Sequence, residues 1–556
     1  MRFTRREILG AAGAAALVAP LDGLRSQPTL PALAGVAPRV RAFAEAVLEQ
    51  NGFPGVSIAL VGPAYSAAFA AGFADLDSRT AATPDQLFQI GSITKSMTAM
   101  AVFVLAGRGR LDLDGKVQDL LPEVPLPPEP ITVRHLLEHS SGLPNSLEPS
   151  PFLDVPGGRL WTGFEPGSRY SYCNLGYTLL GLIIERASGM SFARALQSLV
   201  LRPIGMAAAE PVVRSADRAR YANGHVRLRG DVPWLAGAPL TEARWLDVHT
   251  AAGSVGATAR DMVHYLRQLV SLGRGKGSPL FSDALAERYR TPTIASTHGP
   301  GARYGNGLAV LDVGGALSLR HTGGMIGFSS AMTVDPAAGV GCYASVNVGG
   351  AGGYRPIEIT EYAVSLLRAA AAGGVLPAAP EPRRAGPVAE PARFAGRWLA
   401  ADRREFTVVE RAGSLFVSSG GTERPLVAAG PRAVATDHPG LAPYILSLDA
   451  GETPLLRLGG TMFGRGSPPP TPAADPTLAA LAGDYYSAAS WDPRSSVYAI
   501  GSRLFADSTE LIAAPDGSWR STEPGLASER LWFQSPIGGR PQIANVSGTR
   551  FARVAD

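Results

Sequence analysis

A chain of 556 residues, 46% hydrophobic and 18% charged, is long enough for two or three separately cored domains, and its composition excludes a disordered chain. It contains no apolar run of the roughly 18 residues that would span a bilayer. The formal charge of +4 is small for this length, and there is no Lys/Arg-rich block or RNP-like aromatic motif, so the pI of 9.1 does not argue for a nucleic-acid partner.

The N-terminus carries Arg5-Arg6 ahead of an Ala/Gly-rich apolar stretch to Val18, which is the order of a charged n-region and a short h-region. Residues 1–30 are therefore expected to be a signal peptide of twin-arginine type, with the mature chain exported to the periplasm or beyond. From residue 37 to 372 helical and strand patterns alternate. A helix is predicted at Arg39–Glu49, strands at Val56–Val61 and Ala67–Ala74, and a long apolar helix after Gln89 toward Gly107. Strand patterns return at Leu308–Leu311, Leu317–His321, Ser329–Val334 and Cys342–Val348, before a last helix at Pro356–Ala370. Strands at both ends around a helical middle predict an α+β domain with one antiparallel sheet.

Residues 373–392 and 467–478 are Gly/Pro/Ala-rich linkers, and the segments 393–466 and 479–556 repeat each other. Phe394-Ala395-Gly396-Arg397-Trp398 corresponds to Leu481-Ala482-Gly483-Asp484-Tyr485, and Pro439-Gly440-Leu441-Ala442 to Pro524-Gly525-Leu526-Ala527. Each copy is predicted to be a small antiparallel β-sheet or barrel.

Only three of the 51 basic residues are lysines: Lys95, Lys116 and Lys276. A chain that uses Arg for plain positive charge marks its few Lys positions as places that need a titratable amine. Lys95 lies three residues after Ser92 at the start of the long apolar helix, so amine and hydroxyl share a face. A desolvated Lys can take the proton of a hydroxyl and make it a nucleophile, and backbone N–H groups at a helix start can hold an oxyanion. Taken alone, Ser92 reads equally well as a helix cap. Two further motifs change the weighting. Tyr172-Cys173-Asn174 offers a phenol for proton transfer and an amide for a substrate carbonyl, and His321-Thr322-Gly323-Gly324 follows a strand pattern with glycines that admit close backbone approach.

Ser-x-x-Lys, Tyr-x-Asn and His-Thr-Gly in this order resemble the serine β-lactamase and penicillin-binding protein superfamily, in its class C-like branch of β-lactamases, esterases and D-aminopeptidases. The resemblance covers residues 37–372 and includes His135-Leu136-Leu137-Glu138-His139-Ser140-Ser141-Gly142-Leu143-Pro144 and the segment 252–262. It implies an antiparallel sheet flanked by helices with a helical subdomain, with two β-barrel modules after it in this chain. It further implies catalytic Ser92, Lys95 and Tyr172, substrate contacts at Asn174, His321, Thr322 and Gly323, and oxyanion N–H groups at Ser92 and Gly324. No cofactor or metal is called for, and the partner is a small-molecule or short-peptide substrate. Whether Lys95 or Tyr172 is the working base stays open at this level.

His321 stands where many β-lactamases carry Lys, so the permanent cation for a substrate carboxylate is missing at that position. This favours an acyl-enzyme hydrolase of small amides, D-amino acid peptides or esters, with a β-lactamase or DD-peptidase as the alternative. A penicillin-binding sensor that is acylated once without turnover is the rival from another class. D-aminopeptidases of this branch place a barrel loop near their site, so the β modules either shape access to the pocket or serve as stability or cell-wall-contact modules. His135 and His139 also match the H-x-x-E-H zinc pattern, but a metal would need a third ligand and a water-filled site, and Ser-Gly-Leu-Pro reads as helix termination. Cys173 and Cys342 read as buried free thiols.

Overall fold

The computed structural model describes residues 31–145, 157–230, 232–430, 432–449, 454–470, 472–488 and 494–554. The expected signal segment, 1–30, lies outside the described residues. Among them no helix is long and apolar enough to cross a membrane.

Nine strands form the main sheet: β1 (Gly55–Gly62), β2 (Tyr65–Asp75), β3 (Thr80–Ala81), β4 (Ile294–Ala295), β5 (Arg303–Gly305), β6 (Leu308–Asp312), β7 (Leu317–Met325), β8 (Phe328–Asp335) and β9 (Val340–Val346). Their order is β3-β2-β1-β9-β8-β7-β6-β5-β4. The first and last parts of the domain meet where β1 pairs antiparallel with β9, Val56 opposite Val346 and Leu60 opposite Cys342. Strands β8 and β9 are buried along their whole length.

Alternation along β1 explains the two layers. Val56, Ile58 and Leu60 face a core built with the helices α1 (Val36–Asn51) and α6 (Ile357–Ala371), including Val40, Phe43 and Leu366. Ala59 and Val61 face the opposite core, shared with the helical subdomain. That subdomain contains α2 (Thr94–Gly107), α3 (Val133–Leu137), α4 (Asn174–Ser188) and α5 (Ala259–Gly273). Helix α2 is apolar on every side and buried from Thr94 to Leu105, so it forms the centre of the domain. Thr132 and Thr258 each close a capping box at the starts of α3 and α5.

The tail is two closed eight-stranded antiparallel barrels, running from Gly396–Ala400 to Thr461–Arg465 and from Gly483–Tyr486 to Thr549–Arg553. Closure leaves neither barrel an open sheet edge. The first linker is pinned to the catalytic domain. Asn51 Nδ2 donates to Arg383 O at 3.0 Å, Ala385 N donates to Asn51 Oδ1 at 2.7 Å, and Arg383 N donates to Glu358 Oε2 at 2.7 Å. The second break includes a short helix, Pro476–Leu481, that the Pro-rich composition did not predict.

Candidate active site

Ser92 sits in a 3₁₀ turn, Gly91–Ile93, that leads directly into α2. No side chain caps either helix start, so Ser92 is free of the capping role that competed with catalysis in the sequence. Its Oγ lies 3.0 Å from Lys95 Nζ and receives the Tyr172 phenol at 2.7 Å. Gly91 has φ of +55°, and a Cβ there would fall 2.7 Å from Gly324 N, so the turn and β7 approach backbone to backbone.

Lys95 is fully buried. Its Nζ has two further acceptors, Asn174 Oδ1 and Ala252 O, each at 2.7 Å, and lies 4.8 Å from the Tyr172 ring centroid. No carboxylate among the described residues pairs with it, and burial pushes its pKa well below the ordinary lysine range. Tyr172 moves the opposite way: burial raises its phenol pKa, so the proton stays on oxygen. Behind it His139 packs at 4.3 Å, with Nδ1 accepting from Cys173 N at 3.0 Å. Cys173 Sγ accepts from Gly176 N at the start of α4, and burial pushes the thiol pKa up to about 12, so the cysteine is a protonated cap.

Ser92, Tyr172, Asn174, His321, Thr322 and Gly324 line one cavity of about 470 Å³. Gly323 does not; it faces Ile90 O, with no room for a Cβ. His321 lines the wall with both nitrogens committed, Nδ1 to Thr322 O at 2.6 Å and Nε2 to Tyr304 Oη at 3.0 Å. Burial and the neighbouring Lys95 lower its pKa to about 3, so it supplies no cation at neutral pH. Strand β6 pairs with β7 only as far as Arg320, which leaves residues 321–325 free of a sheet partner on that edge.

Several contributors were missed in the sequence. Asn145 Oδ1 accepts from both the backbone N and Nδ2 of Asn174, at 2.9 and 2.7 Å. Arg320 and Arg355 also line the cavity. Arg320 is paired with Glu361 at 2.7 Å, while Arg355 donates only to Tyr354 O and Ser329 Oγ and has no carboxylate partner among the described residues. Nothing in the pattern marks Arg355 among the many arginines, and Asn145 lies outside every motif.

The H-x-x-E-H residues do not share a helix face. Helix α3 ends at Leu137, and His139 lies beyond it with φ of +56°. His135 Nδ1 accepts from Thr132 N as part of the helix cap. No group of three metal-ligating side chains occurs among the described residues.

A serine and a buried lysine at the start of a central helix, beside an antiparallel sheet and a Tyr-x-Asn loop, define a β-lactamase/transpeptidase-like serine hydrolase superfamily member. The Beta-lactamase family model matches residues 40–365, and the chain belongs to that family. It is 27% identical over 311 residues to penicillin-binding protein 4* of Bacillus subtilis (strain 168), covering 52% of this chain and 66% of that one. To the esterase EstB of Burkholderia gladioli it is 31% identical over 291 residues, covering 44% and 71%. The octameric penicillin-binding protein homologue from Pyrococcus abyssi shares the fold with TM-score 0.56 at 23% identity, over 77% of this chain and 99% of that one.

Proposed function

We propose that the chain hydrolyses small amides, D-amino acid peptides or esters through an acyl-enzyme on Ser92. The observation that carries this is the environment of Lys95 Nζ. A neutral amine has two protons and one lone pair; Asn174 Oδ1 and Ala252 O accept the two protons, which turns the lone pair toward Ser92 Oγ. In acylation the Ser92 proton moves to Lys95 as Oγ bonds the carbonyl carbon, while the N–H groups of Ser92 and Gly324 hold the oxyanion. The leaving group departs with a proton from Tyr172, and the Lys95 ammonium beside the Tyr172 ring returns the proton it took from Ser92 to the phenolate. Water then cleaves the acyl bond. A tyrosinate base is disfavoured by the raised phenol pKa. The likeness to EstB, named an esterase, supports ester chemistry. We further place the reaction outside the cytoplasm, on the strength of Arg5-Arg6 and the apolar stretch after them. Substituting both arginines by Lys should then leave the chain in the cytoplasmic fraction.

One observation favours the second reading, a β-lactamase or DD-peptidase. The cation absent at 321 is replaced by Arg355, whose guanidinium lies against Gly324. Arg355→Ala is expected to weaken acylation by a penicillin by about tenfold or more and to leave a neutral nitrophenyl ester within about twofold. Equal losses on both would remove the carboxylate reading. The central test is intact mass after a fluorophosphonate. Wild type should gain one adduct and Ser92→Ala none, and an adduct persisting in Ser92→Ala would refute the nucleophile. Lys95→Ala should lose turnover by about a thousandfold or more.

A further inference from the structure

The second barrel reaches the loop behind the catalytic pair. Glu529 Oε1 accepts the backbone N–H of Asn145 at 2.8 Å. The same Asn145 offers its Oδ1 to Asn174, and Asn174 Oδ1 accepts from Lys95. Among the described residues, none from either barrel lines the cavity itself.

We propose that Glu529 is a positioning residue for the Ser92–Lys95 pair, acting through Asn145 and Asn174. The step that matters is the orientation of the Asn174 amide. Its Nδ2 and backbone N both point at one oxygen, Asn145 Oδ1, which forces its own Oδ1 toward Lys95. Were Asn145 to drift, the amide could turn and present N–H groups to the amine. Lys95 would then lose one of the two acceptors that direct its lone pair at Ser92.

The docking that carries Glu529 is built independently of this chain of hydrogen bonds. Trp161 Nε1 donates to Ser528 O at 2.7 Å, and its ring meets Trp532 edge-on at 5.0 Å. The nearly buried Arg530 lies 5.8 Å over the same Trp161 ring. Gly163 closes the contact. A Cβ there would stand 2.5 Å from Ser528 Cα and 2.6 Å from Ala527 O, so the two backbones touch where only glycine fits. Gly163 N in turn donates to Gly142 O at 2.8 Å, tying the docked loop to the Ser-Gly-Leu-Pro turn that leads to Asn145.

The inference rests on the proposed roles of Ser92 and Lys95, and the test separates the two. Full-length wild type, Glu529→Ala, Glu529→Gln, Asn145→Ala and the double variant are compared for fluorophosphonate labelling rate and for kcat and KM on p-nitrophenyl acetate. Glu529→Ala is expected to lower the labelling rate and kcat by about tenfold with KM little changed. Glu529→Gln retains an acceptor oxygen and should stay within about threefold of wild type. Because both residues act along one path, Glu529→Ala added to Asn145→Ala should slow it no further. Wild-type rates in Glu529→Ala, a Gln variant as slow as Ala, or fully multiplicative losses would each overturn the proposal. Should labelling instead prove independent of Ser92, the catalytic reading itself fails. Ser92-dependent labelling that ignores Glu529 sinks only the positioning role.

Discussion

In the first barrel the indole Nε1 of Trp398 donates to Phe394 O at 2.8 Å, and Arg465 lies 5.0 Å over its ring; in the second the phenol of Tyr485 donates to Leu481 O at 2.8 Å, with Arg553 at 5.6 Å. Both aromatics sit on the closing seam, Trp398 opposite Arg465 and Tyr485 opposite Arg553. Each copy thus closes with a buried ring that spends its one donor on a carbonyl four residues back and takes a guanidinium on its face. The turns Pro439–Leu441 and Pro524–Leu526 are also shared. The residues just beyond those turns differ: Pro443-Tyr444-Ile445 in one copy, Ser528-Glu529-Arg530 in the other. Tyr444 meets Arg229 at 6.0 Å, in the connection between strands His225–Arg227 and Leu240–Glu242, whereas Ser528, Glu529 and Arg530 engage Trp161 and Asn145. The duplication kept the residues that close a barrel and changed those that decide where it docks.

The largest expected effect exploits the shared plug. Trp398→Ala and Tyr485→Ala each remove a fully buried ring and should each cost about 3–5 kcal/mol of barrel stability, read by urea unfolding. Their functional outcomes should part. Loss of Trp398 should leave Ser92 labelling within about twofold, while loss of Tyr485 loosens the barrel that carries Glu529 and should slow it about tenfold. Equal labelling in both would break the distinction between the copies.

Much of this was legible in the sequence where periodicity or repetition carried it. The expected helix at Arg39–Glu49 is α1 at Val36–Asn51, and the pattern at Ser329–Val334 is β8. Repeats at a nearly constant offset announced two β modules, because each half must bury its own core. The constellation Ser92, Lys95, Tyr172 and Asn174 was legible because two motifs share short spacings and a third lies in family order. Asn145, Arg355 and Glu529 were not, since each acts through position rather than type. Glu529 lies 384 residues from its partner, a distance over which no periodicity speaks. The reading from His321 also left out Arg355, whose guanidinium lines the same cavity from just before α6.

The smallest expected effect lies in the pH profile. If Lys95 works as the neutral amine, kcat/KM rises with pH as Lys95 loses its proton and levels above that pKa, which burial sets well below the ordinary value of about 10.4. With its pKa near 3, His321 is already neutral there and cannot supply this limb. Glu529→Gln removes a negative charge from the far end of the relay. An anion favours protonated Lys95, so its loss should move the acid limb to lower pH, by less than about half a unit at that distance. Tyr444→Ala, the matching position in the first barrel, removes no charge and faces Arg229 rather than Asn145, so its limb and its labelling rate should match wild type. A limb that moved equally in both, or that rose with Glu529→Gln, would mean that the second barrel is no more closely coupled to Lys95 than the first.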